Sequence, residues 1–93
     1  MIKSFRCRET KKVFNRQLSR KFPTQIQQRA FMKLNAIDAA AQVEDLSLPP
    51  SNRLEALKGK RRGQWGIRIN NQWRICFEWR NGNAEQVEIV DYH

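Results

Sequence analysis

The second half of the chain alternates apolar and polar residues with a period of two. Trp65, Ile67 and Ile69 fall on one face of a stretch whose other face carries Gln64, Gly66 and Arg68. Trp73, Ile75, Phe77 and Trp79 share a face opposite Arg74, Cys76, Glu78 and Arg80, and Val87 and Ile89 continue the alternation. That period predicts antiparallel strands with one face buried and the other open. The first half repeats with the helical period instead. Ile26, Ala30, Leu34, Ile37 and Ala41 form one apolar stripe, Gln27, Gln28, Lys33 and Asp38 lie on the other face, and Thr24 after Pro23 stands where an N-cap belongs. Val13, Phe14 and Leu18 predict an earlier helix over residues 9–20, and residues 2–7 read as a first strand. Residues 48–52, with two adjacent prolines, break regular structure between the halves. The expected class is α+β, a single domain over residues 1–93 with helices covering one face of an antiparallel sheet.

The pattern also specifies register, because a slip of one residue swaps every side chain to the other face. A two-residue turn at Asn81-Gly82 would set Ile75 against Glu88 and Phe77 against Gln86. A three-residue loop, Asn81-Gly82-Asn83, instead pairs Ile75 with Ile89 and Phe77 with Val87, so the longer loop is predicted. The same reasoning makes Asn70-Asn71-Gln72 the preceding loop, with Ile69 opposite Trp73 and Ile67 opposite Ile75. On the open face Arg68 then faces Arg74, an arrangement that destabilises a strand pair when unrelieved. Arg74 pairs with Val90, Tyr92 is its diagonal neighbour, and Gly66 beside Cys76 leaves a low floor.

Composition adds the sign of the partner. Eighteen Lys and Arg against nine acidic residues give a net charge of +9, an electrostatic preference for polyanions. Cys7 and Cys76 are far apart and read as buried free thiols, and His93 is the only histidine. These residues offer no metal-ligand spacing, so neither a metal nor any other cofactor is expected. No apolar run is long enough to span a membrane, and the first residues lack a signal-peptide pattern, which predicts a cytoplasmic protein.

The two arginines have a bland reading, in which both splay into solvent and the tail frays. Their functional reading is that a phosphate between the guanidinium forks relieves the repulsion. The preceding predicted strand, Leu54-Glu55-Ala56-Leu57-Lys58, ends in a cation that could complete such a cradle, or Glu55 could be only the salt-bridge partner of Lys58.

Several stretches carry a resemblance over nearly the whole chain: Ile2-Lys3-Ser4-Phe5, Asn52-Arg53-Leu54-Glu55-Ala56-Leu57-Lys58-Gly59, Gly63-Gln64-Trp65-Gly66-Ile67-Arg68-Ile69, Asn71-Gln72-Trp73-Arg74-Ile75-Cys76-Phe77 and Val90-Asp91-Tyr92-His93. In order and content they resemble the HigB-type toxins, or plasmid-maintenance killer proteins, of the RelE/ParE superfamily. The resemblance implies a RelE-like fold, with two N-terminal helices packed on a curved antiparallel sheet. It implies an endoribonuclease that cleaves mRNA in the decoding site of the ribosome and is neutralised by a HigA-type helix-turn-helix antitoxin, with the toxin alone monomeric. It places Lys58 and Arg74 at the scissile phosphate and Asp91, Tyr92 and His93 in a catalytic tail. Where some relatives have a catalytic histidine this chain has Glu55, so the general base stays open between Glu55 and His93. A metal-independent cleavage through the substrate's 2′-hydroxyl would use Lys58 and Arg74, with Arg68 assisting, against the phosphorane charge. His93 has the intrinsic pKa nearest neutrality, Tyr92 could stack on a base or donate a proton, and Asp91 could orient His93. The competing readings are a ParE-like gyrase inhibitor, a non-enzymatic basic RNA-binding module and a toxin of weakened activity.

Overall fold

A computed structural model describes residues 1–92. Two helices, α1 (Arg8–Phe14) and α2 (Thr24–Ala39), precede a four-stranded antiparallel sheet of β1 (Glu55–Ala56), β2 (Gln64–Arg68), β3 (Trp73–Arg80) and β4 (Asn83–Asp91), in the order β1-β2-β3-β4. A short 3₁₀ turn at Pro50–Asn52 lies within the predicted break, and another at Val43–Ser47 precedes it. The stripe of α2 is buried at Ile26, Ala30, Leu34 and Ile37 and packs with Val13, Leu46, Ile67, Ile75, Phe77, Val87 and Ile89 in one apolar cluster.

Several boundaries differ from the sequence expectation, each for a local reason. The first helix ends at Phe14 rather than Arg20. Arg16 takes φ +62°, its N–H bonds Val13 O at 3.1 Å, and Gln17 N–H bonds Lys12 O at 2.8 Å. That is a Schellman closure with arginine where glycine is usual, so the sequence lacked the usual stop signal. Leu18, expected on the stripe, is 71% exposed. Gln27, expected on a solvent face, instead clasps the linker: its amide donates to Ser19 O and Phe22 O and accepts from Ser19 N–H. Thr24 begins α2 and does not cap it; Pro23 occupies the cap position. Ala40 extends out of the helix and takes the buried place expected for Ala41, which is exposed.

The sheet contains the predicted pairs Ile67–Ile75, Arg68–Arg74 and Gly66–Cys76, and Ile75–Ile89 and Arg74–Val90. The hairpin that joins β3 to β4 corrects the predicted loop. Arg80 pairs with Asn83, so the turn has two residues, Asn81 and Gly82, with φ +52° and +78°, as a twisted hairpin prefers. The apolar register is recovered further along by a bulge between Cys76 and Glu78. Gln86, at φ +54°, is the extra residue on β4, so Phe77 has no single partner in the ladder. Both sequence constraints are met: the turn chemistry at one end and face matching at the other.

The expected first strand is not continuous. Two isolated parallel bridges, Ile2 with Ala84 and Phe5 with Val87, run along β4 on either side of the bulge. Ser4 Oγ accepts the N–H of Gln86 at 2.9 Å, and buried Thr10 Oγ1 accepts that of Ile89 at 2.9 Å. The N-terminal segment and α1 thereby satisfy the outer edge of β4, which would otherwise offer free pairing groups.

Candidate functional site

The open face of the sheet is built on an absence of bulk in β2. Gly66 stands between Glu55 on β1 and Cys76 on β3. Two strand spacings, about 9.6 Å, separate β1 from β3, a span that Arg74 crosses beside the side-chain-free Gly66 to pair with the Glu55 carboxylate. The same guanidinium lies over the Tyr92 ring, with Cζ 4.5 Å from its centroid. Tyr92 is positioned by its N–H, which donates to Gln72 O at 2.7 Å, and the Gln72 side-chain amide donates to Asp91 at 3.0 Å. One cation therefore touches both a carboxylate and a phenol ring.

The predicted low floor is filled. Leu57 is 6% exposed and lies over Gly66, so that a Cβ added there would stand 3.3 Å from its Cδ2. Cys76 beneath is fully buried, and burial pushes its thiol pKa upward. Cys7, expected to be buried, is only partly so and lies 3.6 Å from Lys21 Nζ; both cysteines are free.

Arg68 and Arg74 are cross-strand partners, as predicted, but their side chains diverge. Arg68 Nε donates to Asn70 O at 3.0 Å and its Nη2 bonds the Asn71 side chain, so the hairpin loop holds it away from the Glu55 pair. Lys58 is exposed where β1 gives way to the 3₁₀ turn Gly59–Arg61, and it forms no ion pair among the described residues. His93 lies outside the described residues. Arg61 was missed from the sequence. It bonds Glu88 at 3.1 Å and Gln64 at 3.0 Å. Burial lowers its pKa, and the Glu88 carboxylate with the charges of Cys76 and Tyr92 more than offsets this, so the net shift is upward. The basic run Lys58 to Arg62 was the available signal. Among the described residues, no three His, Cys, Asp or Glu side chains converge to hold a metal ion. The chemistry open to this face is charge stabilisation by Arg74, with the Glu55 carboxylate and the Tyr92 ring both against its guanidinium.

Comparison with known proteins follows the same lines. The family described as RelE-like toxin of type II toxin-antitoxin system HigB matches residues 3–93. Endoribonuclease HigB of Proteus vulgaris is 37% identical over 93 residues, covering both chains completely. Toxin HigB-1 of Vibrio cholerae is 43% identical over 65 residues, 70% of this chain and 68% of that protein. Among solved structures, the YoeB-YefM complex from Staphylococcus aureus includes a chain that superposes with a TM-score of 0.62 at 17% identity, over 100% of this chain and 98% of that one. With the helix-covered antiparallel sheet in place and the match running almost end to end, the chain belongs to the HigB-like family of RelE-like toxins of type II toxin–antitoxin systems.

Proposed function

We propose that this toxin is a metal-independent endoribonuclease that cleaves mRNA, at the ribosomal A site, and that a HigA-type helix-turn-helix antitoxin neutralises it. The contact of Arg74 with both Glu55 and Tyr92 is the observation that carries the chemistry. The relative named as an endoribonuclease matches along its whole length and supports the same reading.

In the proposed reaction the substrate's 2′-oxygen loses its proton to a base and attacks the adjacent phosphorus. The 5′-oxygen leaves with a proton from an acid, giving a 2′,3′-cyclic phosphate and a 5′-hydroxyl. Arg74 exchanges its Glu55 contact for the phosphate oxygens, which frees the carboxylate to accept a proton. Lys58 and Arg68 add positive charge, Tyr92 stacks on a base or donates a proton, and Asp91 and His93 complete the tail.

The test is cleavage of an mRNA on ribosomes with chemical mapping of both new ends. Arg74→Ala should lower the rate on the order of a hundredfold, about 3 kcal/mol of lost charge stabilisation, while antitoxin binding persists. Full activity in a folded Arg74→Ala protein would remove Arg74 from the site. Inhibition of growth without cleaved RNA ends would point to a protein target instead.

A further inference from the structure

A second concave surface lies beside the proposed cleavage site. It is a groove of about 1240 Å³ between α2, the turn at Pro50–Asn52 and the β2–β3 hairpin. Four cations line it, Arg29, Lys33, Arg53 and Arg68, and among the described residues no carboxylate does. Side-chain amides from Gln25, Gln28, Asn70 and Asn71 occupy its walls.

Three of its cations, Arg29, Lys33 and Arg68, are held in place by neutral groups. Asn52 is 1% exposed, and its amide donates to Leu46 O at 3.1 Å and Leu48 O at 3.2 Å. That leaves its carbonyl oxygen to accept from Lys33 Nζ. Arg29 donates to Ile69 O at 3.3 Å, again to a neutral acceptor. Burial first, then the charge of Arg29, lowers the Lys33 pKa. Like charges gathered without an acidic partner are stabilised by a bound anion. The groove is also joined to the proposed site. Gln72 on its rim accepts the Tyr92 N–H and donates to Asp91, and Arg68 is the cross-strand partner of Arg74.

We propose that this groove binds the single-stranded RNA flanking the scissile phosphate, with the four cations on the sugar–phosphate backbone and the amides at base edges. An unpaired strand suits it because splayed bases expose hydrogen-bonding edges to the carboxamides. An acidic protein segment would satisfy the cations alone and would leave the amides and the junction with Tyr92 unexplained. The assignment rests on the endoribonuclease reading for its register with the cleavage site, but binding can be measured without cleavage.

The probe is a labelled single-stranded RNA of about a dozen nucleotides, 2′-O-methylated throughout so that it cannot be cut. It is titrated with the full chain across a range of salt. Each phosphate contact contributes about 0.7 to the slope of log affinity against log salt for a single strand. The double substitution Arg29→Gln with Lys33→Gln should lower that slope by about 1.4 and weaken binding roughly tenfold or more at low salt. Arg53→Gln, on an exposed turn, repeats the test at a position remote from packing. With cleavable RNA, the loss should fall on KM far more than on kcat, the reverse of Arg74→Ala. Unchanged affinity and slope in both variants would overturn the assignment. Unchanged RNA binding with weakened antitoxin binding would overturn it too, giving the groove to the protein partner. A parent chain that binds the RNA through the groove but cuts no mRNA on ribosomes would refute the endonuclease reading and leave the groove standing.

Discussion

Arg74 shows how much a single side chain can inherit from register. Its cross-strand neighbour and its diagonal contact with Tyr92 follow from the alternation of β2, β3 and β4, whereas its pairing with Glu55 depends on where β1 docks against β2. Leu57 and Arg61 were not legible in that way, because both reach the open face from irregular segments. The general base is assigned at this scale by mutation. Glu55→Gln and His93→Ala should be compared by formation of the cyclic-phosphate product. With Glu55 as base, Glu55→Gln loses roughly two to four orders of magnitude and His93→Ala retains most activity; the opposite pattern gives the base to His93. Lys33 makes a second prediction. Its folded-state pKa is lowered from 10.5 by burial and by Arg29, so over the range just below 10.5 the unfolded chain binds more protons. Stability therefore rises with pH through that window. Thermal midpoints of the parent should gain on those of Lys33→Gln as the pH approaches 10.5. An unchanging gap would show that Lys33 is solvated.

Among the elements, β4 answers most directly to its surroundings. Its turn residues, Asn81 and Gly82, demand a two-residue hairpin, while its apolar residues demand the register of a longer loop. The bulge at Gln86 lets both hold. The N-terminal segment follows that bulge, bridging β4 before and after it and offering Ser4 to the displaced N–H. Thr10 closes the same edge from α1, fully buried, with its hydroxyl 2.9 Å from Ile89 N. Thr10→Val keeps the shape and removes the acceptor. It should cost about 1–3 kcal/mol for the buried, unpaired N–H, read as a lower denaturation midpoint with an unchanged denaturant slope. A variant as stable as the parent would mean that water or a shifted backbone replaces the hydroxyl.

Over the whole molecule, the excess of nine positive charges is unevenly placed. Arg61 and Arg6 share Glu88, and Lys12 pairs with Glu9, but the groove beside α2 collects four cations with no acid in its lining among the described residues. The proposed mechanism draws its charge stabilisation from side chains alone. Cleavage of isolated RNA should therefore be unchanged in excess EDTA. Product yields with and without the chelator decide it, and activity lost to EDTA and restored by a divalent ion would show that a metal takes part. Ribosomes themselves need magnesium, so only isolated RNA gives a clean reading.

The order of motifs, the period-two alternation and the α2 stripe were sufficient by themselves for the helix-covered antiparallel sheet, the facing of Arg68 and Arg74 and the nearness of Tyr92. These are consequences of repeat and register, which the chain carries locally or between adjacent strands. The bulge at Gln86, the broken N-terminal strand and the burial of Gly66 beneath Leu57 were decided only in three dimensions. In each case a backbone or side chain met partners distant in sequence: β4 with residues 1–10, and Gly66 with the loop after β1. The groove belongs to the same class. Its cations come from α2, a 3₁₀ turn and a hairpin, and only the packing of those three elements brings like charges together, because the apolar stripe of α2 gains more by covering the sheet than the repulsion costs.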